Sequence, residues 1–288
     1  MTVPKIGSMV ERLPVLASRG ILHVVVVGIA LLWLIPSVGL AVTSFRPRGD
    51  ILSSGWWNVL GQPRFTLDNY TSVLGNEGVG QALLNSFIIT VPSTVLPLLV
   101  SALAAFAFSW LRFPGRDWLF LGVLALMIVP IQVALVPSLQ LFSAFGLTGS
   151  YVGIWLAHTA FGLPFAVFLL RNFFVQLPPD LLEAAQIDGA TSLAIFRRVV
   201  VPLSGPAIAS LAVFQFLWVW NDLLMALIFI QRPEQRPLTV EMSQLLSTYG
   251  QEFNLLSAAS FILMIVPLIV FFSLQRYFVR GITAGAVK

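Results

Sequence analysis

Long apolar stretches alternate with short polar ones along this chain of 288 residues. Each apolar stretch has about 20 residues or more, the length that an α-helix needs to cross the hydrocarbon core of a bilayer. Where two stretches adjoin, a short turn with glycine separates them, as at residues 145–150. The pattern predicts six membrane-spanning helices, at residues 21–45, 83–110, 118–142, 151–174, 206–230 and 255–277. We therefore expect an all-α, polytopic membrane protein in which residues 1–288 form a single transmembrane domain.

The composition supports this interpretation and argues against several function classes. Hydrophobic residues make up 58% of the chain and charged residues only 10%, whereas a soluble domain carries about 25% charged residues. With so few charges, the net charge of +4 does not indicate nucleic-acid binding. There is no cysteine, and the two histidines, His23 and His158, are far apart in sequence, so neither a disulfide nor a metal site is expected.

The basic residues predict the orientation of the chain in the membrane. Eleven of the sixteen lysines and arginines fall on the side that holds both termini, the turn at 112–117 and the polar segment between the fourth and fifth spans. Because cytoplasmic loops of membrane proteins are enriched in lysine and arginine, we expect both termini and that polar segment in the cytoplasm. A polar loop of about twenty residues, 231–252, is expected on the opposite side.

The polar segment between the fourth and fifth spans, residues 178–205, is called the island below. Its pattern predicts two short helices, at about 181–188 and 192–199. Helices this short are marginal on their own, yet the island would place apolar residues such as Ile187 and Leu193 in the cytoplasm. We therefore expect a partner surface to cover the apolar faces of the island.

Local signals mark the ends of the two island helices. Asp180 is suited to cap the first helix, with Glu183 at capping-box spacing, and Gly189 is suited to end that helix in the left-handed conformation. Thr191 is suited to cap the second helix, and Pro202 to stop it. The sequence thus predicts two helices joined by a glycine hinge.

Asp188 does not fit this pattern, because a carboxylate in the last turn of a helix opposes the helix dipole. It lies three residues before Thr191, near the free amides that would open the second helix. One hypothesis is that Asp188 fixes the angle between the two helices. The alternative is that it is an ordinary loop aspartate.

The island resembles the EAA loop of ABC importer permeases. The glutamate-to-glycine spacing of six and the glycine-to-proline spacing of thirteen are kept, while Val199 replaces the isoleucine that is usual three residues before the proline. In that family the loop is a coupling helix that docks into a cleft of the cytoplasmic nucleotide-binding subunit. The resemblance implies an ATPase-coupling role for Glu183, Ala184, Ala185, Asp188, Gly189, Ala190, Phe196 and Pro202.

The resemblance extends from about residue 20 to the end of the chain. The sequences at 112–115, 220–222 and 281–288 are similar to the carbohydrate-uptake branch, in particular to the second permease subunit of maltose importers. The resemblance implies a multi-pass protein of the bacterial inner membrane that forms half of a translocation pore for a sugar. Its implied partners are a second similar permease, an ATPase dimer, an extracytoplasmic solute-binding protein and membrane lipid.

The chain contains no phosphate-binding glycine loop of the P-loop type. Together with the resemblance, this implies a transport subunit that is not an enzyme and has no cofactor of its own. ATP and Mg would then be bound by the partner ATPase subunits, and closure of these subunits would move the island and, through it, the membrane-spanning helices.

Asp222 is the only acidic residue within a predicted span. A carboxylate at that depth is costly and by default faces a cavity or a partner group. With Trp220 and Asn221 beside it, Asp222 could contact sugar hydroxyls along a substrate pathway. Alternatively, Asn221 and Asp222 hydrogen-bond neighbouring helices and hold the fifth span in place. For His158, in the fourth predicted span, a packed and hydrogen-bonded side chain is favoured over a proton relay.

Three alternative functions make different demands on the sequence. The solute could be a polyol or a glycerol-phosphate-type molecule instead of a sugar. A secondary transporter that works alone would need intramembrane charge pairs or inverted repeats, but we find one acid and no obvious repeat. A membrane-embedded enzyme would need a cluster of acidic or histidine residues, and the sequence contains none.

Overall fold

The computed structural model describes residues 12–75, 77–248 and 253–286. The description covers the backbone alone for residues 12–19, 77, 245–248 and 276–286. Over these ranges every regular element is a helix and no strand is present, which confirms the all-α prediction. Lys5 and Lys288, two of the residues behind the predicted orientation, lie outside the described residues.

The α-helices of the described chain are numbered here in order. They are α1 (Arg12–Ser44), α2 (Arg48–Ser53), α3 (Asp68–Gly75), α4 (Glu77–Trp110), α5 (Arg116–Leu126), α6 (Ile131–Ala144), α7 (Tyr151–Phe174), α8 (Pro179–Ile187), α9 (Ser192–Ile195), α10 (Val201–Leu203), α11 (Gly205–Trp220), α12 (Leu224–Phe229), α13 (Leu238–Thr248) and α14 (Phe253–Ala286). A π-helical turn, Phe196–Val200, joins α9 to α10, and 3₁₀ turns lie at Trp56–Leu60 and Pro233–Gln235.

Four helices, α1, α4, α7 and α14, are long and apolar enough to cross a membrane. Two pairs reach that length only together: α5 with α6, bent by 104°, and the segment Ser192–Leu203 with α11, bent by 76°. The described chain therefore has four candidate spans, or up to six if each bent pair is one span. The second, fourth and sixth predicted spans lie within α4, α7 and α14, and the first lies within α1 except for its last residue.

The third predicted span, 118–142, is divided between two helices. Helix α5 ends at Leu126, and Pro130 precedes α6 with an extended backbone (φ −62°, ψ 132°). Proline has no N–H to donate, and its ring disfavours the helical conformation in the residue before it, which explains the break at 127–130. The predicted helix at 206–230 is also interrupted, because α11 ends at Trp220 and α12 begins four residues later.

The chain folds into two compact units, of which the smaller one is organised by Asn69. The side-chain amide of Asn69 donates to the carbonyls of Ser44 and Arg46 at 2.9 and 2.8 Å, and its oxygen accepts from Asn254 Nδ2 at 2.9 Å. Because Asn69 is buried, these bonds satisfy a polar group that would otherwise destabilise the unit. The first unit comprises residues 1–73 and 251–261, and the second comprises residues 74–250 and 262–288.

The second unit is built around α4, α7 and α11. Gly162 lets α7 approach α11, since a Cβ atom there would lie 2.8 Å from the side-chain amide of Gln215. That amide donates to the carbonyl of Ser93 on α4 at 3.1 Å, so the three helices are joined at one buried point. Apolar side chains of these helices also pack against the island; this cluster includes Ala105, Leu170, Phe174, Leu182, Ile195, Phe196, Val200 and Leu211.

The prediction of a plain polar loop at 231–252 is wrong for its described part. That part contains α13, and its residues Leu238 and Val240 are buried. The backbone N–H of Leu238 donates to Ser86 Oγ on α4 at 2.8 Å. The segment is therefore packed against the helices of the second unit instead of extending freely from them.

Candidate functional site

The first island helix, α8, begins two residues earlier than predicted. Pro178 is the N-cap and Pro179 the first helical residue, so Asp180 lies inside the first turn and the predicted capping box with Glu183 is not formed. Proline is favourable at the first helical position because the missing N–H would have no partner there. Asp180 still stabilises the helix, since a carboxylate in the first turn complements the dipole.

The end of α8 confirms the prediction for Gly189. This residue has φ +80°, in the left-handed region. The N–H of Gly189 donates to the carbonyl of Gln186, and the N–H of Ala190 to that of Ala185, both at 3.0 Å. The two bonds form a Schellman motif, which satisfies carbonyls at the helix end. Ala185 and Ala190 also pack against the apolar cluster under the island, and an apolar contact at these two positions often accompanies the motif.

Thr191 caps the second island helix as predicted, because its hydroxyl accepts from the backbone N–H of Ala194 at 3.3 Å. Asp188 is exposed, and its side chain has no hydrogen bond or ion pair among the described residues. The contact expected between Asp188 and the opening amides of the second helix is therefore made by Thr191 instead. Asp188 remains available to a group outside this chain.

The second island helix is longer than predicted, and Pro202 does not stop it. Helix α9 continues through the π-helical turn, in which the N–H of Val201 donates to the carbonyl of Phe196, and then through α10 to Leu203. The wide turn lies directly before Pro202, whose ring nitrogen cannot donate to the preceding turn. The sharp change of direction comes at Ser204, directly before α11 starts.

The island has an inner and an outer face with different environments. On the inner face Leu182, Ile195 and Phe196 are buried, and the ring of Phe196 lies 5.3 Å from that of Phe106 on α4. On the outer face, by contrast, apolar side chains are open to solvent, with exposures of 87% for Ile187, 58% for Leu193 and 44% for Leu181. Glu183 and Ala184 are exposed beside them. The inner face is anchored to the long helices, and the outer face is uncovered.

Trp220 and Asn221 lie where α11 ends, and their side chains have different surroundings. Trp220 is buried, and its indole N–H donates to the carbonyl of Leu263 at 3.0 Å. Its ring packs against that of Phe87 at 4.9 Å between centroids. Asn221 is exposed, and its amide donates to the carbonyl of Leu217 one turn earlier at 2.8 Å. Of these two residues, Asn221 is the one that a solute could reach.

Asp222 holds the break between α11 and α12 together. Its Oδ2 accepts from the N–H of Ala226 at 3.2 Å, and its backbone carbonyl accepts from Thr239 Oγ1 at 2.9 Å. The same Oδ2 lies 3.8 Å from Nε2 of His158, which is buried and packs edge-on against Trp218. The adjoining cavity is only about 10 Å³, so there is no space for a sugar. The geometry favours the interpretation that Asp222 holds the helices in place.

Asn85 on α4 is a buried junction whose importance the sequence did not reveal. Its amide nitrogen donates to the carbonyls of Glu234 and Arg236 at 2.8 and 2.9 Å. Its oxygen accepts from Tyr151 Oη at 2.8 Å and from Gln81 Nε2 at 2.9 Å. An asparagine in an apolar span was the only signal, since the partners on the segment after α12 are about 150 residues away in sequence.

A larger cavity, of about 350 Å³, lies beside the break between α5 and α6. The carbonyl oxygens of residues 127–129 accept no hydrogen bond from any described residue. Irregular backbone at membrane depth is tolerated only where protein covers it or where it lines a water-filled cavity. Residues lining the cavity include Met127, Ile131, Ser138, Phe142, Phe161 and Phe165.

The sequence matches the family described as "Binding-protein-dependent transport system inner membrane component" over residues 98–284. It is 53% identical over 272 residues to the osmoprotective compounds uptake permease protein GgtD of Synechocystis sp., with 93% of this chain and 91% of that protein covered. It is 50% identical over 232 residues to the alpha-glucoside transport system permease protein AglG of Rhizobium meliloti, with 78% of this chain and 61% of that protein covered.

Two solved structures are similar in fold. One is a bacterial ABC transporter involved in the import of the acidic polysaccharide alginate, with a TM-score of 0.75, 23% identity and coverage of 96% of this chain and 100% of that chain. The other is a bacterial alginate ABC transporter in complex with a periplasmic protein, with a TM-score of 0.66, 17% identity and coverage of 92% and 96%.

Proposed function

The chain belongs to the family of inner membrane components of binding-protein-dependent transport systems, and from that premise we propose that it is a permease subunit of an ATP-driven sugar importer. It spans the inner membrane several times, with six spans if each bent helix pair counts as one. Both termini and the island face the cytoplasm, in line with the distribution of lysine and arginine. The relative named for alpha-glucoside transport supports a sugar as the solute.

The single observation that carries the proposal is the pair of faces on the island. Leu182, Ile195 and Phe196 fix it to α4, α7 and α11, while Ile187 and Leu193 are left uncovered. Exposing apolar side chains to water is unfavourable, so a partner that covers them on these two short helices is stabilised by their burial. The partner is a cytoplasmic ATPase subunit, and the coupling residues are Glu183, Ala184, Ala185, Asp188, Gly189, Ala190, Phe196 and Pro202.

Some of these coupling residues contact the ATPase subunit, and others transmit the movement of the island to the long helices. Glu183, Ala184 and Asp188 are exposed and contact the ATPase subunit. Gly189 and Ala190 set the direction of the second helix through the Schellman motif. Phe196, packed on Phe106, passes the movement of the island to α4. The ATPase subunits can shift the equilibrium between inward- and outward-open states only by the difference in their binding free energy for the two states.

ATP and Mg are bound by the partner ATPase dimer, because this chain has no phosphate-binding glycine loop. A second, similar permease completes the pore, and an extracytoplasmic binding protein delivers the solute. The solute passes beside the break at 127–130, where Met127, Val129 and three phenylalanines line the cavity. Of the residues 220–222, Asn221 faces the pathway, while Trp220 and Asp222 support it.

The docking step is tested by cross-linking at single cysteines in the full complex. The chain has no cysteine of its own, so Leu193→Cys on the outer face of the island supplies one thiol. Leu60→Cys is the matched control, because Leu60 is an exposed leucine outside the island. We expect a short cross-linker that reacts with a thiol at one end and an amine at the other to join only the Leu193→Cys chain to the ATPase subunit. Equal cross-linking of both chains, or of neither, would contradict the proposal.

The osmoprotective-compound relative gives a reason to consider solutes other than common sugars. The chemical class of the solute is determined by measuring ATP hydrolysis by the reconstituted complex with its binding protein and a panel of glucosides, polyols and glycerol phosphates. A glucoside-type solute should raise the rate, and a polar solute without a sugar ring as the sole activator would replace the sugar assignment. Transport without any ATPase subunit would instead favour a stand-alone secondary transporter.

A further inference from the structure

The turn between α4 and α5 gathers positive charge beside the membrane. Arg112 lies two residues after the end of α4, and Arg116 is the first residue of α5. Gly115 makes the turn possible with φ +78°, a left-handed conformation that a side chain would strain. Asp117 is the one carboxylate within residues 111–118.

Side chains of this turn surround an open cavity of about 440 Å³. Arg112 is exposed and has no hydrogen bond or ion pair within the described part of the chain. Arg116 meets Asp117 through its Nε, at 3.1 Å from Oδ1, which leaves both terminal nitrogens of its guanidinium without a partner among the described residues. The cavity is lined by Arg112, Phe113, Gly115, Arg116, Asp117 and Trp118.

A third arginine, Arg171 of α7, contacts α5 one helical turn beyond Arg116. The guanidinium carbon of Arg171 stands 4.0 Å from the centroid of the Phe120 ring, and Phe120 follows Arg116 by four residues. Residues four apart on a helix are neighbours on its surface. The Nε of Arg171 is buried without a hydrogen-bond partner in the described chain. The turn itself carries two guanidinium groups and one carboxylate, and Arg171 adds a third guanidinium beside the first turns of α5.

The residues next to the cavity place it at the level of lipid headgroups. Trp118 is 79% exposed, and Leu119 and Leu121 on the following turn are 58% and 53% exposed. A tryptophan at the start of an apolar outward face is typical of the membrane–water interface. An occupant of the cavity would therefore have its polar part among the arginines and its apolar part along α5.

We propose that this cavity binds the phosphate of an anionic phospholipid. The two terminal guanidinium nitrogens of Arg116, and the guanidinium of Arg112, are available for the bidentate hydrogen bonds that arginine makes to phosphate. Basic pockets at the cytoplasmic ends of spans are suited to anionic headgroups, and Trp118 with the leucines beyond it covers the acyl chains. The bound lipid holds α5 at the interface, independently of which solute the importer carries.

The site is tested by native mass spectrometry of the full-length protein with equal amounts of phosphatidylglycerol and phosphatidylcholine. The wild type should retain phosphatidylglycerol in preference. The variant Arg112→Ala/Arg116→Ala should bind it about thirtyfold more weakly, because each arginine near an anionic surface contributes on the order of a fivefold change. Arg64→Ala/Arg232→Ala is the control, since it removes two exposed arginines elsewhere and should retain the wild-type preference.

Each contrary outcome overturns a defined part of the assignment. Equal binding by Arg112→Ala/Arg116→Ala and wild type would show that the cavity is not the site, and equal loss in both double variants would show an effect of net charge alone. Competition by millimolar inorganic phosphate would mean that the arginines bind free phosphate instead of a lipid. If the alanine variant does not fold, Arg112→Lys/Arg116→Lys keeps the charge and should still show several-fold weaker binding; undiminished binding would count against the bidentate contact.

Discussion

Two segments interrupt the long helices of the second unit, and their aspartates have opposite environments. In the island, Asp188 ends α8, is exposed and has no side-chain partner among the described residues. At the break after α11, Asp222 caps α12, lies 3.8 Å from His158 and sits beside a cavity of about 10 Å³. The carboxylate of Asp188 is available to a group of another protein, whereas that of Asp222 accepts a hydrogen bond within this chain.

The apolar residues of the two segments differ in the same way. Around Asp222 the side chains of Met225, Ala226 and Phe229 are buried. Around Asp188, by contrast, Ile187 is 87% exposed. Where the polar groups are hydrogen-bonded and the apolar side chains are buried, as around Asp222, the interruption holds the fold together. Where the polar groups have no partner and the apolar side chains are exposed, as around Asp188, the interruption is a candidate surface for a partner. This contrast, more than the presence of acidic residues, separates the candidate coupling site from a structural break.

The largest effect is expected where the island is anchored. Phe196→Ala removes a buried ring that packs on Phe106, and large-to-small changes of this kind cost about 3–5 kcal/mol. Thermal unfolding in mild detergent should show a clear loss of stability. Leu193→Ala, on the exposed face of the same segment, should leave the midpoint nearly unchanged. If the two variants lost equal stability, the distinction between inner and outer faces would be wrong.

A smaller loss is expected at the break after α11. Asp222→Ala removes the side-chain acceptor of the Ala226 N–H, and loss of such a cap costs about 1–2 kcal/mol. Asp222→Asn keeps an acceptor oxygen and should retain most of the stability in the same unfolding assay. A stable, assembled Asp222→Ala protein with impaired solute transport would show instead that Asp222 acts on the solute.

The hinge of the island should respond by about 1 kcal/mol. Gly189→Ala forces a side chain into the left-handed conformation observed at φ +80°, which costs an L-residue on the order of 1 kcal/mol. We expect a modest drop in thermal stability together with weaker stimulation of ATP hydrolysis, because the direction of the second helix changes. Gly75→Ala, at a glycine with open space around it and no positive φ, is the control and should be neutral.

The smallest effect on stability is expected at Asp188. Asp188→Asn removes a charge that has no partner within the described residues, so the unfolding midpoint should stay within experimental error. ATP hydrolysis stimulated by the loaded binding protein should nevertheless fall, if Asp188 contacts the ATPase subunit. Normal coupling in this variant would return Asp188 to the status of an ordinary loop aspartate.

The parts of the fold that could be predicted from the sequence are those fixed by neighbouring residues. The left-handed Gly189 and the Thr191 cap depend on groups within five positions, and both are found as predicted. The seventh helix also has the predicted bounds, because Ser150 caps it by accepting from the N–H of Gly153 at 3.1 Å. Local chemistry alone is sufficient at these points.

Other features depend on context that the local pattern does not contain. Pro130 breaks the third predicted span, whereas Pro92 and Pro97 lie inside the continuous α4; the residue type is the same and the surrounding helices differ. Asn85 joins α4 to carbonyls about 150 positions away. The roles of Asp188 and Asp222 likewise follow from burial and partners, which the alternation of polar and apolar residues does not specify.

The most direct test of the central claim compares two substitutions of equally exposed apolar residues. Ile187 on the outer face of the island is 87% exposed, and Leu60 in the connection between α2 and α3 is 88% exposed. The measurement is ATP hydrolysis by the reconstituted complex with its solute-loaded binding protein, for Ile187→Asp and Leu60→Asp. We expect Ile187→Asp to abolish the stimulation and Leu60→Asp to retain it. Full stimulation in Ile187→Asp would contradict the assignment of the island as the surface that couples this chain to its ATPase.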